Sequence, residues 1–257
     1  MMGPGRMVDV SHTVERGMVT YKGLQAPVIC DFLTREASRA SYAPGTEFYI
    51  GKIEMVANTG TYVDSPFHRY VEGKDLAALP LESLANLDCV VARVPAGDAG
   101  AIDRLGLTET DVRGRAVLVH TGWDRHWGSE RYFEGHPHLT GELAEWLARA
   151  GAVLVGIDSL NIDGIATRER PVHSVLLGHE IPVVEHLRGL DALRTGMRRG
   201  DRTRRRDRRP ALASRHGSFA AMACERAVRV RVDRLRTEWS AVRDPARGDG
   251  SVPGARP

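Results

Sequence analysis

Runs of Val and Ile bounded by turn residues recur up to about residue 190 and read as short strands. They are residues 7–10 (MVDV), 47–57 (EFYIGKIEMVA), 89–94 (CVVARV), 116–120 (AVLVH) and 152–157 (AVLVGI). The clearest helical spacing is in TGELAEWLARAG. Leu143, Trp146 and Leu147 recur on one face, Thr140 suits the N-cap, and Gly151 stands where a left-handed stop is expected. The predicted helix runs directly into the strand at 152–157, giving a helix–strand unit. Strands and helices alternate with long connections, so the expected fold class is α/β, a mixed sheet with helices packed on it.

This patterning stops near residue 190. Residues 194–218 have almost no periodic apolar positions. Residues 227–236 alternate like a strand, and the final twelve have a disorder-prone composition. Charge changes at the same place. Residues 1–190 carry 18 Lys and Arg against 25 acids, whereas 191–257 carry 18 Arg, no Lys and 8 acids, for an overall +3. The chain therefore divides into a domain at 1–190 and an Arg-rich tail at 191–257. Clustered Arg can neutralise phosphates, which makes nucleic-acid binding one reading of the tail. Arg, Ala, Gly and Pro without Lys are also what a GC-rich gene yields out of frame. The tail thus reads as a disorder-prone extension or as a frame-shifted translation, ahead of a nucleic-acid arm.

Composition narrows the setting. A chain of 257 residues can bury a sizeable core. No apolar run approaches the ~20 residues that span a bilayer, and the first residues lack the apolar centre of a secretory signal. Cys30, Cys89 and Cys224 form no CxxC pair and so no thiolate zinc site. The expectation is a cytoplasmic protein acting on a small molecule, with no membrane partner.

The candidate chemistry lies in NTGTYVDSPFH. Asn58, Gly60, Tyr62, Asp64, Pro66 and His68 all fall at even positions, so an extended chain turns them to one face. Neighbours two apart sit ~6.5 Å from each other along a strand, close enough for Tyr62 and Asp64 to address one ion. Asn58 and His68 could join them only if the chain bends, and Gly60 and Pro66 permit bends. On spacing alone, a polar-faced strand edge explains the pattern nearly as well.

The same run resembles the signature His-x-Gly-Thr-His-x-Asp-x-Pro-x-His of the metal-dependent cyclase family, which includes bacterial kynurenine formamidases and isatin hydrolases. Gly60, Thr61, Asp64, Pro66 and His68 match, while Asn58 and Tyr62 stand where that family has two His. Residues 8–23, 117–128, 155–163 and 171–187 are also similar to family segments, the last of them in placing His173 twelve residues before Glu185. The resemblance implies a swivelling β/β/α fold and a homodimer or homotetramer. It implies a divalent ion, Mn²⁺ or Zn²⁺ and one per chain, held by Asp64, His173 and Glu185. It further implies His68 as general acid or base, and Asn58 and Tyr62 positioning substrate or completing the shell.

The activity implied is hydrolysis of a small amide, an aryl formamide or a cyclic amide, as in an arylformamidase. Three ligands of mixed imidazole and carboxylate type suffice for a catalytic ion, whereas replacing two imidazoles by oxygen donors shifts preference toward harder ions. The rival reading is a catalytically silent relative that binds a small molecule at a degenerate metal site. Elsewhere, His120, His136 and His138 read as structural. Trp123 and Trp127 read as packing residues, and Asp158 and Asp163 as turn caps or functional groups in equal measure. His179 and His186 are given no role.

Overall fold

The computed structural model describes residues 8–94 and 100–193. The expected strand at 227–236 and the Arg-rich tail beyond residue 193 lie outside the described residues.

Two parallel strands form the centre: β6 (Ala116–His120) and β8 (Leu154–Ile157). Their runs of Val, Leu and Ile leave no polar face because the sheet is covered on both sides. β4 (Cys89–Arg93) extends the sheet beyond β6, β9 (Val183–Glu185) beyond β8, and β3 (Tyr62–Asp64) closes it antiparallel to β9. The result is a five-stranded sheet, mixed as the sequence leads one to expect, with β3 and β9 added to the predicted strands.

Alternation along each strand divides two cores. Val117, Val119, Val155 and Ile157 pack on one face with helices α3 (Gly141–Ala150) and α4 (Pro171–Gly178). Leu118, Leu154 and Val184 point the other way, to Val10, Leu187 and Leu190. Gly156 in β8 is closely packed, since a Cβ there would lie 2.7 Å from Leu187 Cδ1 and that side chain would have to shift.

The ends of α3 are those its sequence predicts. Thr140 accepts the Leu143 N–H through its side chain, and Gly151 takes the left-handed conformation at φ 83°. Two short helices, α1 (Arg35–Ser38) and α2 (Glu109–Val112), and the two-stranded pair β5 (Ala101–Ile102) and β7 (His138–Leu139) complete the periphery. A separate antiparallel ribbon pairs β1 (Val28–Leu33) with β2 (Ile50–Glu54).

Two strand expectations change. Residues 8–10 join no ladder. Val10 is nevertheless buried, and its carbonyl accepts the Arg188 N–H at 2.9 Å. The strand expected over 47–57 is confined to Ile50–Glu54, and all five of its residues are exposed.

Candidate metal centre

The register of β3 on β9 builds the floor of the site. Tyr62 lies directly opposite Glu185 and Asp64 opposite Val183. Residues two apart share a face, so Tyr62, Asp64 and Glu185 all project toward α4, while Val63 and Val184 enter the opposite core. The chain bends on both sides of β3. Gly60 takes φ 67°, and Pro66–His68 form a 3₁₀ turn that brings His68 Nδ1 within 3.3 Å of Asp64 Oδ1. Gly73 closes that turn at a backbone approach only glycine allows, because a Cβ would lie 2.6 Å from the Pro66 carbonyl carbon.

His173 comes from α4, whose N-terminus is fixed from outside the helix. Asp163 accepts the backbone N–H of Val172 at 2.8 Å and of His173 at 3.0 Å, and its Oδ2 lies 2.6 Å from His173 Nδ1. These bonds hold Asp163 below the usual carboxylate range although its burial works the other way. They also turn His173 Nε2 to the floor, 3.6 Å from Asp64 Oδ2 and 3.5 Å from Glu185 Oε1. Burial lowers the pKa of His173, but contacts with Asp163 and Asp64 and the charges of Glu185 and Asp64 outweigh it, raising the value to about 10.

Tyr62 and Asn58 take up different work from that of metal-binding imidazoles. Burial, then the charge of Glu185, raises the Tyr62 pKa well above that of a free phenol, while the Asn58 amide beside it pulls the other way. Tyr62 therefore keeps its proton and donates it to Glu185 Oε2 at 2.5 Å. The Ile162 N–H donates to Glu185 Oε1 at 2.7 Å. Tyr21 Oη lies 3.3 Å from Oε2, donates to the Leu160 carbonyl at 2.6 Å, and accepts from Asn161 at 2.7 Å. Glu185 is thus fully buried, with its burial pushing the pKa up, and is supported from two sides.

The structure brings all six of the expected residues together around one cavity of about 430 Å³. Asp64, His68 and His173 have ligating atoms within 4.8 Å of one another, and Glu185 adjoins them through His173. A divalent cation fits this set. Asp64 Oδ2 is buried without a hydrogen-bond partner, a costly position for an anionic oxygen. Adjacent ligands on one ion ~2.0–2.2 Å from each would be spaced much as His173 Nε2 is from Asp64 Oδ2, at 3.6 Å, and from Glu185 Oε1, at 3.5 Å. Carboxylate and imidazole donors together suit zinc and manganese.

Other candidates resolve into structure. Asp158 is fully buried and accepts from the Thr121 backbone and hydroxyl and from the Gly122 N–H, a turn-organising role. His136 is buried against the Asp163 carbonyl at 3.0 Å. His186 is fully buried with Nδ1 2.8 Å from Tyr132 Oη, and Trp127 stacks on His12 at 3.8 Å. Asp163, read in the sequence as a turn cap or a functional group in equal measure, caps α4 and orients His173, whereas the role of Tyr21 was not evident. For Asp163 the signal is its place shortly before the helix it caps; for Tyr21, reached across the fold, there is none.

Comparison with known proteins agrees with this fold. The family described as "Putative cyclase" matches residues 8–164. A kynurenine formamidase from Bacillus cytotoxicus is 25% identical over 193 residues, covering 72% of this chain and 84% of that protein. Among solved structures, isatin hydrolase A from Labrenzia aggregata superposes with a TM-score of 0.60 at 19% identity, over 74% of this chain and 83% of the other. A structure described as a "predicted metal-dependent hydrolase" from Bacillus stearothermophilus gives 0.56 at 24% identity, over 74% and 86%. With the fold, the signature run and the majority of the chain in agreement, this protein belongs to the cyclase family.

Proposed function

We propose that the chain is a metal-dependent hydrolase of a small amide, an aryl formamide or a cyclic amide, that works with one Mn²⁺ or Zn²⁺ ion per chain. The observation that carries this reading is the buried Asp64 Oδ2, which has no hydrogen-bond partner and faces His173 Nε2 at 3.6 Å, at the floor of a cavity sized for one substituted ring. Asp64, His173 and Glu185 would hold the ion, with Tyr62 and Ile162 fixing Glu185. When bound, such an ion polarises a carbonyl and lowers the pKa of water to ~7.

His68 is the proton-transfer group. It is the exposed member of the cluster, with 44% of its side chain accessible, and its Nδ1 is turned to Asp64. Nε2 is left to carry a proton to the departing nitrogen, work for which imidazole is the usual side chain. Asn58 and Tyr62 line the same cavity and position the substrate. The relatives named above, a kynurenine formamidase and an isatin hydrolase, support an amide C–N bond as the target. The silent-relative reading is the weaker one, since the Asn and Tyr substitutions leave the Asp64–His173–Glu185 grouping intact. We further propose a homodimer or homotetramer, supported by the exposed apolar β1–β2 ribbon.

Metal analysis with an activity screen tests the reading. Chain reloaded with Mn²⁺ or Zn²⁺ is expected to retain about one ion and to hydrolyse aryl formamides, cyclic amides or lactones. Asp64→Ala should lose the ion, and His68→Ala should keep the ion and lose turnover. Less than about a tenth of an ion per chain after reloading, with no turnover, would overturn it.

A further inference from the structure

His186 follows Glu185 at the end of β9 and is fully buried. Its backbone is left-handed, with φ 56°, a conformation that a Cβ disfavours. The other two non-glycine residues in that region among those described, Asn86 and Glu180, are exposed. The backbone is held there from both sides. Thr61 Oγ1 donates to the His186 carbonyl, and the Leu187 N–H donates to the Ile157 carbonyl at 3.0 Å. His186 Nε2 is also buried with no hydrogen-bond partner. An asparagine would take this backbone more readily, and an apolar side chain would bury no unsatisfied nitrogen. Filling space therefore does not account for an imidazole at this position.

The ring lies among four aromatic rings, its centroid 5.3 Å from Tyr21, 5.3 Å from Tyr62, 5.5 Å from Trp127 and 5.8 Å from Tyr132. Its plane is anchored through Nδ1, 2.8 Å from Tyr132 Oη. Two of the four rings carry the hydroxyls that meet Glu185 Oε2, Tyr62 at 2.5 Å and Tyr21 at 3.3 Å. Where those phenols stand decides which way the carboxylate is turned. With Oε2 committed to them, Oε1 faces His173 Nε2 at 3.5 Å. We infer that His186 is a positioning residue of the candidate metal centre. Its ring, anchored on Tyr132, sets Tyr21 and Tyr62, and these aim Glu185 Oε1 at the ion. The assignment rests on the reading of Asp64, His173 and Glu185 as ligands.

Co²⁺ is the probe, added to the full chain freed of metal. Its visible absorption bands follow the geometry of its ligands, and its dissociation constant is read by competition with a chelating dye. His186→Asn keeps a residue suited to left-handed backbone and removes the ring. It should weaken Co²⁺ binding by about 10- to 100-fold, the range for partners behind a ligand, and shift the bands at saturating Co²⁺. Tyr132→Phe removes only the hydroxyl that anchors the ring. It should weaken binding by about three- to tenfold, the worth of one hydrogen bond. In the His186→Asn background the same change should add less than about twofold, because the hydroxyl acts through the ring.

A lower melting temperature with parent-like Co²⁺ affinity and bands in both variants would reduce His186 to packing and overturn the assignment. Should His186→Asn fail to fold, Tyr132→Phe decides alone. Unchanged affinity and bands then overturn the assignment, and weakened affinity with shifted bands supports it. A parent chain that takes up no Co²⁺ would remove the ion reading and the assignment with it. A parent that binds Co²⁺ beside two unaffected variants would remove the assignment and leave the ion reading standing.

Discussion

At the scale of single residues, the site depends on side chains whose protons are fixed by their neighbours. Asp163 is a positioning residue. It reads the Nδ1 side of His173 and leaves Nε2 for the cation, as carboxylates behind metal-binding imidazoles commonly do. Asp163→Asn keeps the shape but loses the charge that selects this ring orientation. The metal dissociation constant, measured by competition with a chelating dye, should rise by about 10- to 100-fold. An unchanged constant would show that His173 needs no such partner. His12 gives the pH dependence. Burial, then the charge of Arg188, lowers its pKa to about 3, and its Nε2 is buried without a partner. Between that value and ~6.5 the unfolded chain binds a proton that the folded chain refuses. Stability is therefore fully present above pH ~6.5 and declines by about 1.4 kcal/mol per pH unit on acidification toward 3. Burial lowers His186 as well, in the same direction. His12→Phe retains the stack on Trp127 and removes the titrating group. Unfolding free energies from urea titrations at pH 6 and pH 4.5 should then differ by less than in the parent chain. An undiminished difference would clear His12.

At the scale of elements, the turn after β3 is the part with least room to move. Phe67 N–H bonds to the Lys74 carbonyl at 3.1 Å and Gly73 N–H to the Tyr70 carbonyl at 2.9 Å, folding residues 67–74 back on Pro66. Gly73→Ala would push a methyl group into the Pro66 carbonyl, at a cost of about 1–3 kcal/mol. The turn must shift to relieve the clash, and His68 shifts with it. A displacement of ~1 Å in a reacting group can cost about a hundredfold in rate. The variant should keep its metal, since Asp64 and His173 stand on other elements, and should lose most of its kcat. Loss of the metal together with the rate would place the ion's grip in this turn instead. Parts of this arrangement were legible in the sequence. The bends at Gly60 and Pro66 and strands β6 and β8 follow from residue type and spacing, whereas the pairing of His173 with Glu185 came from the resemblance to the cyclase family. The contact between Tyr62 and Glu185 followed from neither, because it depends on the register of two three-residue strands separated by most of the domain. α4 was equally hidden. Its cap is supplied by Asp163 from outside the helix, and Val172, Leu176 and Leu177 are all buried, so it shows little amphipathic contrast. β2 failed as a long strand because its apolar residues face outward, which pattern alone cannot tell from burial.

At the scale of the whole molecule, those outward residues pose the remaining question. Phe32 is 73% exposed and Phe48 52%, and Ile50 and Ile53 on β2 are exposed beside them. An apolar surface of this kind on a two-stranded ribbon outside the main sheet is unusual for a chain that works alone. The ribbon begins a few residues after Tyr21, Lys22 and Leu24, which line the cavity. Covering the ribbon with a second copy would therefore also stiffen one wall of the candidate site. If copies associate here, Phe32→Glu places a charge at the most exposed aromatic of the surface while disturbing no buried contact. Light scattering should give the mass of a dimer or tetramer for the parent chain and a smaller mass for the variant at equal concentration. Activity per chain should fall alongside, with KM affected more than metal content, because the wall that loosens carries no ligand of the ion. A parent chain that scatters as a monomer would leave the ribbon to some other partner and detach it from catalysis altogether.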